Sequence, residues 1–173
     1  MNFTVKILRT SDFTEYELGL PQNDIEEYFL IHGWLNEFKS KDYLCIELKG
    51  DIELDYEETL DLEYFNNLLL EFRNYDIATQ DKIKVLMESN YNTIESLQYA
   101  LNNHQKYTLV PDKISNEQLA KYVFEEIYNI KTFSLWRECI SHKDFTTLLF
   151  ARGCAFSVNG KILIKSINLK EGL

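Results

Sequence analysis

The chain has 173 residues, of which 45% are hydrophobic and 27% are charged, and it contains 6 Gly and 2 Pro. This composition is sufficient for one large domain or two to three small subdomains with real cores, and it argues against disorder and long flexible linkers. The net charge of −10 argues against direct binding of the acidic part to DNA or membrane phosphates, and it favours basic protein surfaces as partners.

The negative charge is unevenly distributed along the chain. Residues 1–130 contain 25 Asp and Glu against 11 Lys and Arg, whereas residues 131–173 contain 3 against 7. Between Asp42 and Asp76 there are 11 acidic residues and 2 basic ones. We therefore expect the acidic part to bind a basic protein, for example one that itself binds DNA.

The sequence predicts a cytoplasmic protein. Its cysteines, Cys45, Cys139 and Cys154, are odd in number and lack a CxxC pairing, which is typical of reduced thiols. The N-terminus has no charged-then-apolar signal segment, and no apolar stretch is long enough to span a membrane.

The first 58 residues predict a small antiparallel sheet with one helix on it. Alternating apolar and polar residues predict a strand over residues 3–9, followed by a connection or a short second strand over residues 11–20. Pro21 and the acidic residues after it favour a helix start, and we expect Gly33 to end that helix.

Two more strands are predicted over residues 43–48 and 51–56, with Lys49-Gly50 as the turn between them. In the second strand, four carboxylates alternate with apolar side chains. Alternate side chains of a strand share one face, at a spacing of about 6.6–6.8 Å. The carboxylates expected in this exposed row are Asp51, Glu53, Asp55 and Glu57.

The carboxylate row has two interpretations. DNA carries one phosphate per roughly 3.4 Å on each strand, so the row resembles a sparser phosphate ladder. Alternatively, the row is the solvated face of an edge strand that charge protects from aggregation.

The hydrophobic period then changes to that of helices. Amphipathic helices are predicted over residues 61–75, 79–89 and 93–103, and Thr79 and Thr93 are suitable N-caps for the last two. These segments define a helical subdomain.

The remaining chain predicts a mixed α and β region. A short strand is expected over residues 107–111, and a capping box at Ser115 opens a helix that reaches residue 127. A further helix is expected over residues 133–140. Asn159-Gly160 is a strong type I′ hairpin signal between strands at 155–158 and 161–164.

These elements predict an α+β fold in three small subdomains. Their expected boundaries are residues 1–58, 59–105 and 106–173.

No motif for phosphate-loop, nucleophile-elbow or zinc-protease chemistry is present. Cys139 and His142 form the only close Cys/His pair, and a hydrolase built on them needs a third orienting group and an oxyanion hole. Asp51, Glu53 and Asp55 could gather a hard cation, but the run lacks the glycine-centred loop of an EF-hand. We expect no catalytic residue, no metal and no cofactor.

Five stretches form an ordered pattern that spans nearly the whole chain. They are Leu20-Pro21 with the acidic helix after it, the acidic segment 42–57, and residues 62–66, 91–97 and 119–126. Together with the terminal hairpin, their order and spacing resemble the ArdA family of antirestriction proteins.

The resemblance implies an elongated α+β protein of three subdomains, usually dimeric, whose carboxylates imitate the phosphates of bent B-form DNA. It implies that the protein occupies the DNA groove of type I restriction–modification enzymes and blocks modification and cleavage without binding DNA itself. The carboxylates that we expect on this surface are Asp42, Glu47, Asp51, Glu53, Asp55, Glu57, Glu58, Asp61, Glu63, Glu71, Asp76, Glu125 and Glu126.

The chain departs from the family pattern in its basic C-terminal third, where residues 138–144 replace an acidic Tyr-x-Asp-Tyr segment. We expect residues 131–173 to form the homodimer contact or to lie outside the mimic surface. A dimer contact would centre on apolar groups, namely Leu135, Trp136, Phe150 and Phe156. The alternatives are a generic acidic module that regulates another DNA-binding protein, with the basic region on nucleic acid or a second partner, and the Cys/His hydrolase.

Overall fold

The computed structural model describes residues 1–110, 114–127 and 141–166. The fold is α+β, as predicted, with helices and two small antiparallel sheets. The chain divides into two compact units, residues 1–102 (unit 1) and 103–173 (unit 2). The expected further division near residue 58 stays a prediction.

Unit 1 begins with a three-stranded sheet and two short helices. The strands are β1 (Phe3–Arg9), β2 (Glu15–Leu20) and β3 (Tyr43–Gly50), in the order β2-β1-β3. The predicted first strand is confirmed, and the helices are α1 (Ile25–Ile31) and α2 (Leu35–Ser40). The sequence missed α2, because it is six residues long and its N-cap, Trp34, has no capping side chain.

The core of this unit follows the pleat of β1. Phe3, Val5 and Ile7 are buried, as alternation along a strand requires. The Phe3 ring lies edge-on to that of Phe65, with centroids 5.2 Å apart, which packs the sheet against the helical part of the unit.

The predicted strand over residues 51–56 is wrong, and so is the turn at Lys49-Gly50. β3 continues through both residues, and Gly50 pairs with Phe3 at the start of β1. Because β1 begins there, the ladder of β3 ends opposite it. The following segment is extended and makes an isolated parallel bridge between Asp55 and Thr93.

Burial in this segment nevertheless alternates as expected. The four carboxylates from Asp51 to Glu57 are exposed, Leu54 is buried, and Ile52 and Tyr56 are half-buried. The acidic row therefore exists, but the regular spacing of a strand does not apply to it.

Three helices complete unit 1: α3 (Leu62–Arg73), α4 (Ile77–Glu88) and α5 (Ile94–Asn103). All three were predicted within two residues at each end. The N-cap of α4 is Asp76, whose carboxylate accepts a hydrogen bond from the Thr79 backbone N–H, so the prediction of Thr79 as the cap is wrong.

The cap predicted for α5 is confirmed. The Thr93 hydroxyl accepts a hydrogen bond from the Ser96 N–H at 3.1 Å, and the Ser96 hydroxyl oxygen accepts one from the Thr93 N–H at 2.8 Å.

Unit 2 contains a second antiparallel sheet. Its strands are β4 (Tyr107–Val110), β5 (Ala155–Val158) and β6 (Lys161–Lys165), in the order β4-β6-β5. The predicted hairpin is confirmed, with positive φ angles of 49° at Asn159 and 79° at Gly160.

Two α-helices of unit 2 are described, besides a short 3₁₀ helix over His104–Lys106. α6 (Asn116–Tyr122) opens with the predicted capping box at Ser115 and continues as a π-helical turn over Val123–Ile127. α7 (His142–Ala151) was not predicted, although Ser141 caps it by accepting a hydrogen bond from the Asp144 N–H. The helix expected over residues 133–140 lies outside the described residues. Among the helices that are described, none has the length and apolar character needed to cross a membrane.

Candidate functional site

The two units differ in net charge. Residues 1–102 contain 21 Asp and Glu against 8 Lys and Arg, whereas residues 103–173 contain 7 against 10. The candidate site is therefore sought among the carboxylates of unit 1, which holds all the predicted site residues except Glu125 and Glu126.

The structure places most of the predicted site residues in contact with solvent. Glu47, Asp61 and Glu125 are half-buried. The exposed members are Asp42, Asp51, Glu53, Asp55, Glu57, Glu58, Glu63, Glu71, Asp76 and Glu126.

Several of these carboxylates have roles within the fold. Asp61 caps α3 and forms an ion pair with Lys41. Burial opposes ionisation of Asp61, but the hydrogen bonds from Lys41 and from the Tyr64 N–H prevail and lower its pKa. Glu47 pairs with Lys49, with the Oε1 and Nζ atoms 2.7 Å apart.

Two other predicted carboxylates also have partners. The Asp51 carboxylate lies 4.0 Å from the Met1 amino group and accepts a hydrogen bond from the Asn2 N–H at 2.8 Å. Glu125 lies 3.9 Å from the Lys121 ammonium group. These side chains are partly neutralised, so they contribute less to an external field.

The carboxylates of the segment before α3 differ from these. Within the described ranges, no ion pair involves Glu53, Asp55, Glu57, Glu58 or Glu63. These five carboxylates are all exposed, and they lie within the eleven residues from Glu53 to Glu63. Their charge is therefore available to a partner.

Backbone contacts hold this segment in place. The Asp55 N–H donates to the Asn92 carbonyl oxygen at 2.8 Å, next to the bridge between Asp55 and Thr93. The Cys45 N–H donates to the Glu58 carbonyl oxygen at 2.7 Å, and the Leu60 N–H to that of Glu57 at 3.1 Å. The carboxylates thus project from an ordered backbone.

A cleft of ≈ 290 Å³, here called the acidic cleft, opens between this segment and the first turns of α3 and α5. Asp55, Glu57, Asp61 and Glu95 line it, together with the ring of Tyr64. Desolvation, and then the charge of Glu95, raise the pKa of Tyr64.

A second cleft of ≈ 330 Å³, here called the side cleft, lies next to the first. Glu53, Asp55, Tyr91 and Asn92 line it, so Asp55 belongs to both clefts. The two clefts and their carboxylates form the candidate binding surface.

Sequence reasoning missed Glu95, Tyr64 and Tyr91 as members of this surface. The sequence does indicate that Glu95 lies in the first turn of the helix that Thr93 caps. Its position beside the segment of Asp55 depends on the tertiary contact between two distant stretches, which periodicity does not reveal.

The sequence analysis also considered a cation site and a Cys/His hydrolase. Among the described residues, no group of three or more His, Cys, Asp or Glu side chains is arranged to hold a metal ion. Cys139, the nucleophile of the hydrolase alternative, lies outside the described residues.

No family model matches the sequence, and no curated protein matches it.

Proposed function

We propose that this protein is a DNA mimic that binds the DNA groove of a type I restriction–modification enzyme, at its methyltransferase and specificity subunits. The observation that supports this most strongly is the set of exposed, unneutralised carboxylates between Glu53 and Glu63. The resemblance to the ArdA family selects the target class. In this proposal the protein works in the cytoplasm, without a cofactor or metal and without binding DNA.

The mechanism is competition for a positively charged groove. A DNA-binding groove carries Lys and Arg side chains that neutralise phosphates, and carboxylates satisfy the same cations. Opposite charge accelerates the encounter and orients the partners before contact. Salt screens charges that lie more than a Debye length apart, which is about 8–10 Å near physiological ionic strength, and this length shortens as salt rises. Inhibition should therefore weaken as salt rises.

Preorganisation favours this surface over a disordered acidic tail. A disordered tail loses conformational entropy when it binds, whereas an ordered segment has already lost most of it on folding. Here the backbone hydrogen bonds of Asp55, Glu57 and Glu58 fix the segment in the free protein.

We place the homodimer contact in unit 2. This unit exposes Phe150 and Phe156 of the predicted contact, and also Leu148, while its charge is net positive. The other two residues of that prediction, Leu135 and Trp136, lie outside the described residues. Apolar side chains at the centre of a contact, with lysines at its rim, avoid burying like charges against each other.

The decisive experiment is a competition assay with a purified type I enzyme. We expect the protein to inhibit both DNA methylation and DNA cleavage, and we expect added substrate DNA to relieve the inhibition. Inhibition that DNA does not relieve contradicts binding in the DNA groove.

A matched pair of triple variants locates the surface. Glu53→Gln/Glu57→Gln/Glu58→Gln removes three free carboxylates from the proposed surface, and we expect it to slow association by about tenfold. Glu17→Gln/Glu26→Gln/Glu27→Gln removes three exposed carboxylates from β2 and α1 and serves as the control. Equal weakening by both variants favours the alternative, a generic acidic module that responds to total charge.

A further inference from the structure

Tyr91 combines an exposed ring with an unusual backbone. Its side chain is 90% exposed, although an aromatic ring gains free energy from burial. Its φ angle is 74°, and that of Asn92 is 53°. Two consecutive left-handed residues other than glycine are uncommon, and they persist where the surrounding structure fixes them.

Hydrogen bonds on both sides of Tyr91 fix this turn. The N–H groups of Asn90 and Asn92 donate to the Met87 carbonyl oxygen at 2.9 and 3.3 Å. The Asn92 carbonyl oxygen accepts a hydrogen bond from the Asp55 N–H at 2.8 Å. The Tyr91 ring is therefore presented to solvent from a fixed backbone.

Each of the two clefts is lined by both carboxylates and a tyrosine. Tyr91 shares the side cleft with Glu53 and Asp55. In the acidic cleft, which also contains Asp55, Tyr64 lies with Glu95. A cation that enters either cleft meets both a carboxylate and the face or edge of an aromatic ring.

This combination distinguishes between the two cationic side chains. The net negative charge of the surface attracts lysine and arginine alike. A planar guanidinium group also stacks on an aromatic face and forms paired hydrogen bonds with a carboxylate, whereas a lysine ammonium group is compact and strongly hydrated.

We infer that Tyr91 and the two clefts that share Asp55 form an arginine-selective contact for a basic partner protein. The inference rests on the proposed function, because it takes the partner to be a basic protein surface. It adds that the surface selects its partner by side-chain type, beyond total charge.

The test compares two short peptides of equal length and charge, one with arginines and one with lysines in a Gly/Ser background. Fluorescence anisotropy of labelled peptides at low ionic strength measures their Kd values for the wild-type protein. We expect the arginine peptide to bind about two- to fivefold more tightly, the range of an exposed cation–π contact.

The variants assign this preference to Tyr91. Tyr91→Gly suits the left-handed backbone and removes the ring, so we expect the ratio of the two Kd values to fall to about one while both peptides still bind. Tyr91→Phe keeps the ring and restores the preference. Phe13→Gly is the matched control, because Phe13 is 75% exposed, has a φ angle of 60° and lines neither cleft.

A wild-type protein that binds neither peptide, or that binds both equally, overturns the inference, as does a preference that survives in Tyr91→Gly. Equal loss in Phe13→Gly also overturns it. The two proposals fail separately: inhibition of the type I enzyme without arginine preference removes this inference alone. Arginine preference that depends on Tyr91, without inhibition, removes the restriction enzyme as the target.

Discussion

Units 1 and 2 are both α+β structures with a three-stranded antiparallel sheet, yet they differ in charge and in surface chemistry. Unit 1 places free carboxylates on an ordered segment, while unit 2 has a small excess of basic residues and exposes Leu148, Phe150 and Phe156. The contrast teaches that the net negative charge of the chain belongs to unit 1, while unit 2 is net positive. We interpret this as a division between binding a basic partner and self-association.

The largest expected effect tests whether each unit depends on its own core. Phe65 is fully buried against Phe3, and Phe65→Ala should lower the free energy of unfolding by about 3–5 kcal/mol. Hydrogen exchange should accelerate in residues 1–102. Leu163→Ala, at a fully buried position of β6, should accelerate exchange in residues 103–173. Exchange that rises equally in both units for either variant contradicts separate cores.

The next effect is an alkaline sensitivity of unit 1. Burial raises the pKa of Tyr43 to about 12 and that of Cys45 to about 11. The unfolded chain loses these protons at lower pH, so the free energy of unfolding should fall as pH rises from about 9 to about 12. For Tyr43 alone, the free energy of unfolding should fall by about 2–3 kcal/mol over this range.

Urea unfolding, followed by circular dichroism across this pH range, measures the alkaline loss. Tyr43→Phe should reduce the pH dependence, although it also removes the acceptor of the Leu62 N–H, 3.2 Å from the phenol oxygen. Cys45→Ala separates the thiol contribution. An unchanged slope in Tyr43→Phe would assign the alkaline loss to other groups.

A smaller effect tests the path of β3 into the acidic segment. A Cβ atom on Gly50 would collide with the Phe3 ring, which is itself held by Phe65. Gly50→Ala should therefore lower the free energy of unfolding by about 1–3 kcal/mol. Gly19→Ala is the control, because a Cβ there meets no atom within 4 Å. If the two variants are equally stable, the close approach of Phe3 to Gly50 is wrong.

The smallest expected effect concerns the positive charge of unit 2. Reversing Lys161 and Lys165 to Glu should leave inhibition of the type I enzyme intact or raise it by less than about twofold, because it makes an anionic decoy more anionic. The competition assay measures this, with size-exclusion chromatography to check oligomeric state. A loss of inhibition with oligomeric state unchanged shows that unit 2 binds an acidic partner.

Local signals predicted much of the fold. Periodic apolar positions located α3, α4 and α5, and the capping box at Ser115 and the Asn159-Gly160 turn marked α6 and the hairpin. These features depend on neighbours in the sequence, which is why they could be read without a structure.

Features that depend on distant contacts were missed. Residues 51–56 have a strand pattern, but strand formation needs a partner and the ladder of β3 ends at Gly50. Asn66 lies within the helix predicted over residues 61–75, and nothing in that pattern indicated that it is buried. It forms two hydrogen bonds with the Gln22 backbone, at 2.7 and 2.9 Å. The exposed carboxylates were predicted individually, whereas their arrangement around the clefts with Glu95 was not.

The attachment of the acidic segment through main-chain atoms has a practical consequence. The Asp55 N–H and the carbonyl oxygens of Glu57 and Glu58 form hydrogen bonds with neighbouring backbone of unit 1. Substitutions at exposed side chains here should change the fold's stability by no more than about 0.5 kcal/mol. The segment therefore offers a scaffold on which charges can be added, removed or moved to match a different basic groove without redesign of the core.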